Sequence, residues 1–387
     1  MSKKWVTLIG LAVIMTMLAV LAAGCGGSSE SKDIKIGGNF EMTGGVATFG
    51  QSSANGAKLA FKQINAAGGV LGKQITFIVA DNKSEPSEST NAVTKLITQD
   101  KVKAVLGAVA SSNTLAAAPV AIQNKVPFIT TSSTNPKVTV EDGKVKDYAF
   151  RVCFIDPFQG TVMANFASKS LNAKTAAIYI DNSSDYSKGL AEFFEKAFTA
   201  AGGKIVSKEA FLQKDQDFKA TLTKIKATNP EVIFIPGYYQ EVGLIVKQAR
   251  ELGITVALLG GDGWDSPKLV EIAGAAALNN GYFSNHYSPE DKDPKVQKFV
   301  EDYKKEYGQV PDALAALGYD AAYMLVDAIK RANSDDPSKI KDAIAQTKGL
   351  AVVTGQVTLN ENHDPVKSAV VIEMKEGKQV FKEKVNP

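Results

Sequence analysis

At 387 residues the chain is long for one domain and comfortable for two, and its 44% hydrophobic and 22% charged residues are those of an ordinary soluble protein. The formal net charge is only +3, and Lys3 and Lys4 contribute to it. Arginine is rare and no aromatic residues interleave with a basic face, so nothing points to nucleic acid.

The N-terminus reads as a targeting segment. Lys3 and Lys4 precede an apolar run from Trp5 to Ala23, followed by Gly24, Cys25 and a polar GGSSESK spacer. The run is long enough to cross a membrane. Ala22, Ala23 and Gly24 at its end instead predict a cleaved secretory signal. The segment resembles a bacterial lipoprotein signal, which makes residues 1–24 the signal peptide, Cys25 the lipidated first residue and 25–33 a flexible tether. Ala22 stands three before Cys25 with Leu21 one further back, a slight departure from the commonest pattern, and a plain cleaved signal or an uncleaved anchor are the alternatives. Each buried acyl CH₂ contributes about 0.8 kcal/mol, so two or three chains hold a protein firmly outside the cytoplasm. With Cys25 lipidated, Cys153 is left without a disulfide partner and, in the apolar YAFRVCFI, reads as a packing thiol.

From Ile34 the pattern alternates strands and amphipathic helices. Strand 34–40 leads through EMTGGVATFG to a helix with Ala57, Ala60, Phe61 and Ile64 on one face, stopped at Gly68-Gly69. Strand 75–80, a helix after Pro86, and strand 104–108 follow. That strand breaks into Ser111, Ser112, Asn113 and Thr114; a short apolar helix, strand 126–129 and a second hydroxyl cluster, Thr130 to Thr134, come next. Two neighbouring parallel strands deliver both clusters to one sheet edge, where parallel sheets place ligands. Helix N-terminal N–H groups and uncharged hydroxyls suit a carboxylate or phosphate. The competing reading is that Ser112 or Asn113 simply caps the helix.

The rhythm continues without a linker. Helix 158–170, strand 176–180, a helix ending at Ala201, strand 204–210, helix 215–227, strand 232–235, helix 241–252, strand 255–259 and strand 281–285 are expected, then helices near 294–307 and 313–331. The tail from about 352 to 385 reads as strands with Asn-rich turns. This is an α/β chain with two doubly wound sheets, crossed more than once. His286 reads as a hinge or rim residue and His363, in ENHDP, as exposed. Neither lies near a Ser–Asp or Cys pairing, and no G-x-S-x-G or H-E-x-x-H is present. GGVLGK at 68–73 is one residue short of a phosphate loop. No catalytic residue, metal cluster or cofactor is expected.

NAAGGVLGKQI, GAVASSNT, VPFITTSSTNP, DYSKGL, PGYYQE and LGGDGWDSPKL, in that order, resemble the extracellular solute-binding proteins of branched-chain amino acid ABC transporters over essentially everything after residue 33. The resemblance implies a periplasmic-binding-protein type I fold: two Rossmann-like lobes joined by three crossovers around a central cleft. It places the crossovers near 151–154, 283–287 and 354–357, lobe I at 34–152 plus 286–354, and lobe II at 153–285 plus 355–387. It implies a monomer that delivers an amino acid to a membrane permease. It puts the carboxylate on Ser111 or Ser112 with Ser132, Ser133 and Thr134, the ammonium on Asp262, and aromatic walls at Phe49, Tyr186 and Tyr238. On residues alone, Tyr238 and Tyr239 equally read as rim packing, Asp262 as a helix cap beside the better-placed Asp265, Tyr186 as a helix-start residue, and Trp264 as pocket or rim. Asp262 replaces a longer Glu of enteric relatives, Phe49 replaces a Tyr, and Ser84 and Ala110 stand where some relatives carry a disulfide. Relatives of the same fold that bind amides, urea or aromatic acids, or a sensory module, are the alternatives.

Overall fold

The structure, a computed structural model, describes residues 33–387. The expected signal peptide, Cys25 and nearly all of the tether lie outside the described residues. Among the described residues no helix is long and apolar enough to cross a membrane.

The first half of the chain builds a parallel sheet. Its strands are β1 (Ile34–Phe40), β2 (Ile75–Asp81), β3 (Ala104–Gly107), β4 (Phe128–Thr130) and, after a hairpin of β5 (Val140–Glu141) and β6 (Lys144–Val145), β7 (Ala149–Arg151). The order is β2-β1-β3-β4-β7, with α1 (Ala47–Ala66), α2 (Pro86–Thr98) and α3 (Ser111–Gln123) between strands. β3 and β4 pair directly, Val105 with Phe128, so the two hydroxyl clusters do emerge side by side. Their residues are continuous apolar runs because helices cover both faces.

The chain then builds a second sheet from β8 (Thr175–Asp181), β9 (Lys204–Phe211), β10 (Val232–Phe234), β11 (Ala257–Gly260) and β12 (Gly281–Asn285), with α4 (Asp156–Asn165), α5 (Asp185–Ala200), α6 (Lys219–Ala227), α7 (Tyr239–Glu251) and α8 (Pro267–Ala273). It returns to the first sheet for α9 (Pro294–Tyr307), α10 (Ala313–Ala332), α11 (Pro337–Ala345) and a hairpin of β13 (Leu350–Val352) and β14 (Gly355–Val357). Finally β15 (Ala369–Lys375) adds antiparallel to β12, and β16 (Lys378–Val385) closes the edge, giving β16-β15-β12-β11-β10-β8-β9.

Three details depart from the sequence reading. Helix α4 starts at Asp156, because Pro157 fits the first helical turn, and its continuation over Phe166–Ser170 widens into a π turn. Helix α6 starts at Lys219, because Asp215 accepts from Leu212 N (2.9 Å) and Gln248 from Phe218 N (2.7 Å), which tie 212–218 down as a loop. The third passage falls at about 366–369 rather than 354–357. Buried Asp320 on α10 accepts from Val353 N (2.8 Å) and Thr354 N (2.9 Å), and Asp364 still pairs with Arg151 (2.6 Å), so 355–365 stays with the first sheet.

Candidate functional site

The carboxyl ends of β3 and β4 face those of β10 and β11 across a shut cleft. A small, nearly closed cavity lies there. The first lobe lines it with Phe49, Val109, Ser111, Ser132 and Leu314; the second contributes Tyr186, Tyr238, Asp262 and Gly263. Six of the nine residues expected at the site therefore share this cavity, drawn from segments as far apart as 49 and 262.

The hydroxyls divide by role. Ser111 Oγ accepts from Asn135 N (3.4 Å), which leaves its own hydrogen free to donate. Ser132 Oγ reaches Val109 O only at 3.4 Å. Thr134 is buried outside the cavity lining, its Oγ1 beside the Asp156 carboxyl rather than in the cleft. Ser133 turns away from the cavity: its hydroxyl meets Thr114 Oγ1 (2.6 Å) and donates to Val109 O (2.9 Å), bracing the first cluster against the second. Ser112 also misses the cavity, and it spans the cleft instead, donating to Asp185 Oδ2 and accepting from Asp185 N, both at 3.0 Å.

The helix N-terminus is occupied differently from expectation. Glu41, fully buried just past β1, accepts from Val109 N (3.0 Å), Ala110 N (3.1 Å) and Asn113 Nδ2 (2.9 Å). Burial pushes its carboxyl up, and these donors pull it back down. The positive end of α3 is thus partly used by the protein's own acid. No local sequence pattern marks this: β1 runs parallel to β3 with Asn39 opposite Gly107, and that register brings Glu41 to the same edge.

Arg151, wholly buried at the end of β7, holds the second cluster from behind. It donates to Ser133 O (2.6 Å), Asn135 O (2.9 Å) and Thr139 Oγ1 (3.0 Å) and pairs with Asp364. With those carbonyls held by Arg151, the turn at 132–134 is fixed behind the cavity and Ser132 lines it.

Asp262 opens the turn after β11. Its amide donates to Gln159 Oε1 (2.8 Å), Oδ2 meets His286 Nε2 at 2.9 Å, and Oδ1 is buried without a partner. It does not cap α8, whose first turn is capped by Ser266. Asp265 does not cap it either: it accepts from Ala313 N (2.8 Å), Asn285 Nδ2 (2.9 Å) and Gln379 Nε2 (2.7 Å). Gly263 donates to Tyr186 Oη (3.2 Å), and a Cβ there would lie 2.5 Å from Gly237 O. Trp264 is core, fully buried with Nε1 donating to Ile235 O (3.0 Å), and lies neither in the pocket nor on the rim.

Aromatic rings close the walls. Tyr186 stacks on Tyr238 (5.1 Å, 10°), and Phe49 from the first lobe stands edge-on to Tyr238 (6.0 Å) and Tyr239 (4.9 Å). Burial pushes both Tyr186 and Tyr238 well above the usual phenol range, so both keep their protons. Cys153 is a buried thiol pushed up to about 12. His363 is half-buried rather than exposed, stacked on Phe150 (4.2 Å) with Nδ1 at 3.0 Å from Ala149 O. Among the described residues no group of three His, Cys, Asp or Glu is placed to hold a metal.

Two lobes on largely parallel sheets, shut upon a small cavity that both line, define a binding protein that encloses a solute. The chain belongs to the periplasmic binding protein family, whose pattern it matches over residues 33–379. It is 30% identical over 348 residues to a leucine-, isoleucine-, valine-, threonine- and alanine-binding protein of Pseudomonas aeruginosa, covering 89% of this chain and 91% of that one. Its fold is similar to the leucine-binding protein LivK of Thermotoga maritima (44% identical, TM-score 0.87, 92% of this chain and 99% of that one). It is also similar to LivJ of Streptococcus pneumoniae, the branched-chain amino acid transporter substrate-binding protein, solved with isoleucine (41% identical, TM-score 0.87, 92% and 100%).

Proposed function

We propose that the protein captures one α-amino acid with a branched aliphatic side chain, leucine, isoleucine or valine, and delivers it to an ABC permease without transforming it. Cys25 carries the lipid that holds it, as a monomer, at the outer face of the cell membrane. The observation that bears most weight is Asp262 Oδ1, buried at the cavity without a partner and set across it from the Ser111 and Ser132 hydroxyls of the other lobe. Buried polar groups are nearly always satisfied, and leaving one unmade is costly. A zwitterion fits this arrangement: Ser111 and Ser132 donate to its carboxylate, and Asp262 accepts from its ammonium. Phe49, Val109, Leu314, Tyr186 and Tyr238 surround the rest with carbon.

Neither lobe completes the solvation of such a ligand alone, so it favours the shut state through contacts that exist only there. The names carried by the three relatives agree with this ligand class. A neutral amide or urea would leave Asp262 facing no positive charge, which argues against the alternative.

A thermal-shift screen of the twenty amino acids, with amides, urea and benzoate alongside, tests the reading. Stabilisation by leucine, isoleucine or valine above all others is the expected result; stabilisation by a neutral amide or an aromatic acid instead would overturn it.

A further inference from the structure

Asp262 does not stand alone at the back of the cleft. The chain passes from the first to the second lobe beside its return at the end of β12, and a ring from each passage meets there. Phe154 and His286 stack at 3.8 Å with 22° between their planes. His286 is buried and its Nε2 lies 2.9 Å from Asp262 Oδ2. A carboxylate oxygen only accepts, so Nε2 carries the proton. The same turn is fixed on its other side, where Gln159 Oε1 accepts both the Asp262 amide and the Ser284 hydroxyl, each at 2.8 Å. Asp262 is therefore gripped at its backbone and at one carboxylate oxygen, and only Oδ1 is left without a partner.

We propose that His286 is a positioning residue for ligand recognition: by holding Oδ2 it fixes the Asp262 carboxylate so that Oδ1 points at the ligand's ammonium. This rests on the amino-acid reading above and deepens it. A free carboxylate in a cleft can rotate between rotamers; one tied at a single oxygen presents the other in a fixed place, which suits a compact primary ammonium. The stack on Phe154 gives the imidazole its own orientation and places it in the passages that join the lobes.

The charge state of His286 also matters. Burial holds His286 below the usual imidazole range; Asp262 and Asp265 favour its charged form, and Lys367 from the third passage opposes it. It is neutral at pH 7 and donates without neutralising Asp262. Protonation at lower pH makes a buried ion pair with Asp262, which then offers less net charge to an ammonium.

The test uses the purified protein and isoleucine titrated by calorimetry, with the 2-hydroxy analogue of isoleucine, which lacks the ammonium, as control. His286→Phe keeps a ring for the Phe154 stack and removes the donor; it is expected to lose about 10- to 100-fold in isoleucine affinity, while binding of the hydroxy analogue changes little. His286→Gln, which retains a side-chain N–H, recovers most of the loss. Wild-type affinity declines as pH falls below the usual imidazole range, and His286→Gln flattens that decline. Should His286→Phe not fold, the Gln variant and the two pH profiles decide the matter. Equal losses for isoleucine and the hydroxy analogue, or identical pH profiles in wild type and His286→Gln, would overturn the role of His286 alone. A wild-type protein that binds no α-amino acid would overturn the parent reading with it.

Discussion

Ser112 and Asp185 hold each other twice across the cleft, hydroxyl to carboxylate and amide to hydroxyl, each at 3.0 Å. Asn135 Nδ2 adds a third contact, to Asp185 O at 2.8 Å. These bonds join the start of α3 to the start of α5, so they form only when the lobes meet. Ser112→Ala is expected to weaken ligand binding by about 1–2 kcal/mol, roughly tenfold, through loss of closure. The change should appear as faster dissociation in stopped-flow measurements, with a more open ensemble in small-angle scattering. An unchanged scattering profile with weakened binding would make Ser112 a ligand contact after all.

Asp156 sets a pH dependence of stability. Burial, with Asp262 adding to it, raises its carboxyl to about 8. The unfolded chain releases that proton near the ordinary carboxylate value while the folded protein keeps it. Between about pH 4 and pH 8 the folded state therefore binds more protons, and this group's contribution falls as pH rises, levelling above 8. Asp156→Asn should remove that component: the melting temperature of the variant falls less between pH 5 and pH 8.5 than that of the wild type. Parallel curves would show that Asp156 ionises normally in the fold.

Arg151 carries both structure and site. Its removal takes the guanidinium donors from two buried carbonyls and leaves Asp364, whose side chain is 7% exposed, without its cation. Arg151→Met should destabilise by about 3–5 kcal/mol in chemical denaturation. A loss below about 1 kcal/mol, the range of exposed ion pairs, would mean that the buried pair and its carbonyl contacts contribute little.

Gly263 is where the acid-bearing turn passes closest to the second lobe's own backbone. A methyl group there would sit 2.5 Å from Gly237 O and 3.1 Å from each of the Tyr186 and Tyr238 rings. Gly263→Ala must displace the turn that carries Asp262. Ligand affinity should fall by at least tenfold, while far-ultraviolet circular dichroism stays that of the wild type. Undiminished affinity would show that the turn has room to move without consequence.

Much of this was legible in the residues. The β–α alternation, the two hydroxyl clusters and their shared edge follow from strand-length apolar runs and from parallel pairing, and Ser111 and Ser132 lie at that edge; Asp262 lines the same cavity, a position that only the family resemblance implied. What sequence did not show depends on side-chain direction. Ser112 and Ser133 belong to the same clusters as Ser111 and Ser132, yet one bonds the opposite lobe and the other the neighbouring helix. Glu41 and His286 were missed because each meets its partner only through strand register: Glu41 comes from β1 to β3, and His286 follows β12 next to β11. Trp264, two residues from the site's acid, turned inward because its ring fits against Gly260 and its N–H finds Ile235 O. The late third passage is fixed by Asp320 and Asp364, buried acids whose partners no local pattern announces.

The central claim is that uncharged donors from one lobe and a single acid from the other together replace the water around a zwitterion. Calorimetric titration of the wild type and of Asp262→Asn tests it directly, using L-isoleucine, 3-methylpentanoic acid without the ammonium, and 2-methylbutylamine without the carboxylate. The account predicts that the wild type binds isoleucine at least about a hundredfold tighter than either half-ligand, and that Asp262→Asn loses a similar factor on isoleucine and almost nothing on the acid. Binding of 3-methylpentanoic acid as tightly as isoleucine, or an Asp262→Asn variant with wild-type isoleucine affinity, would contradict it.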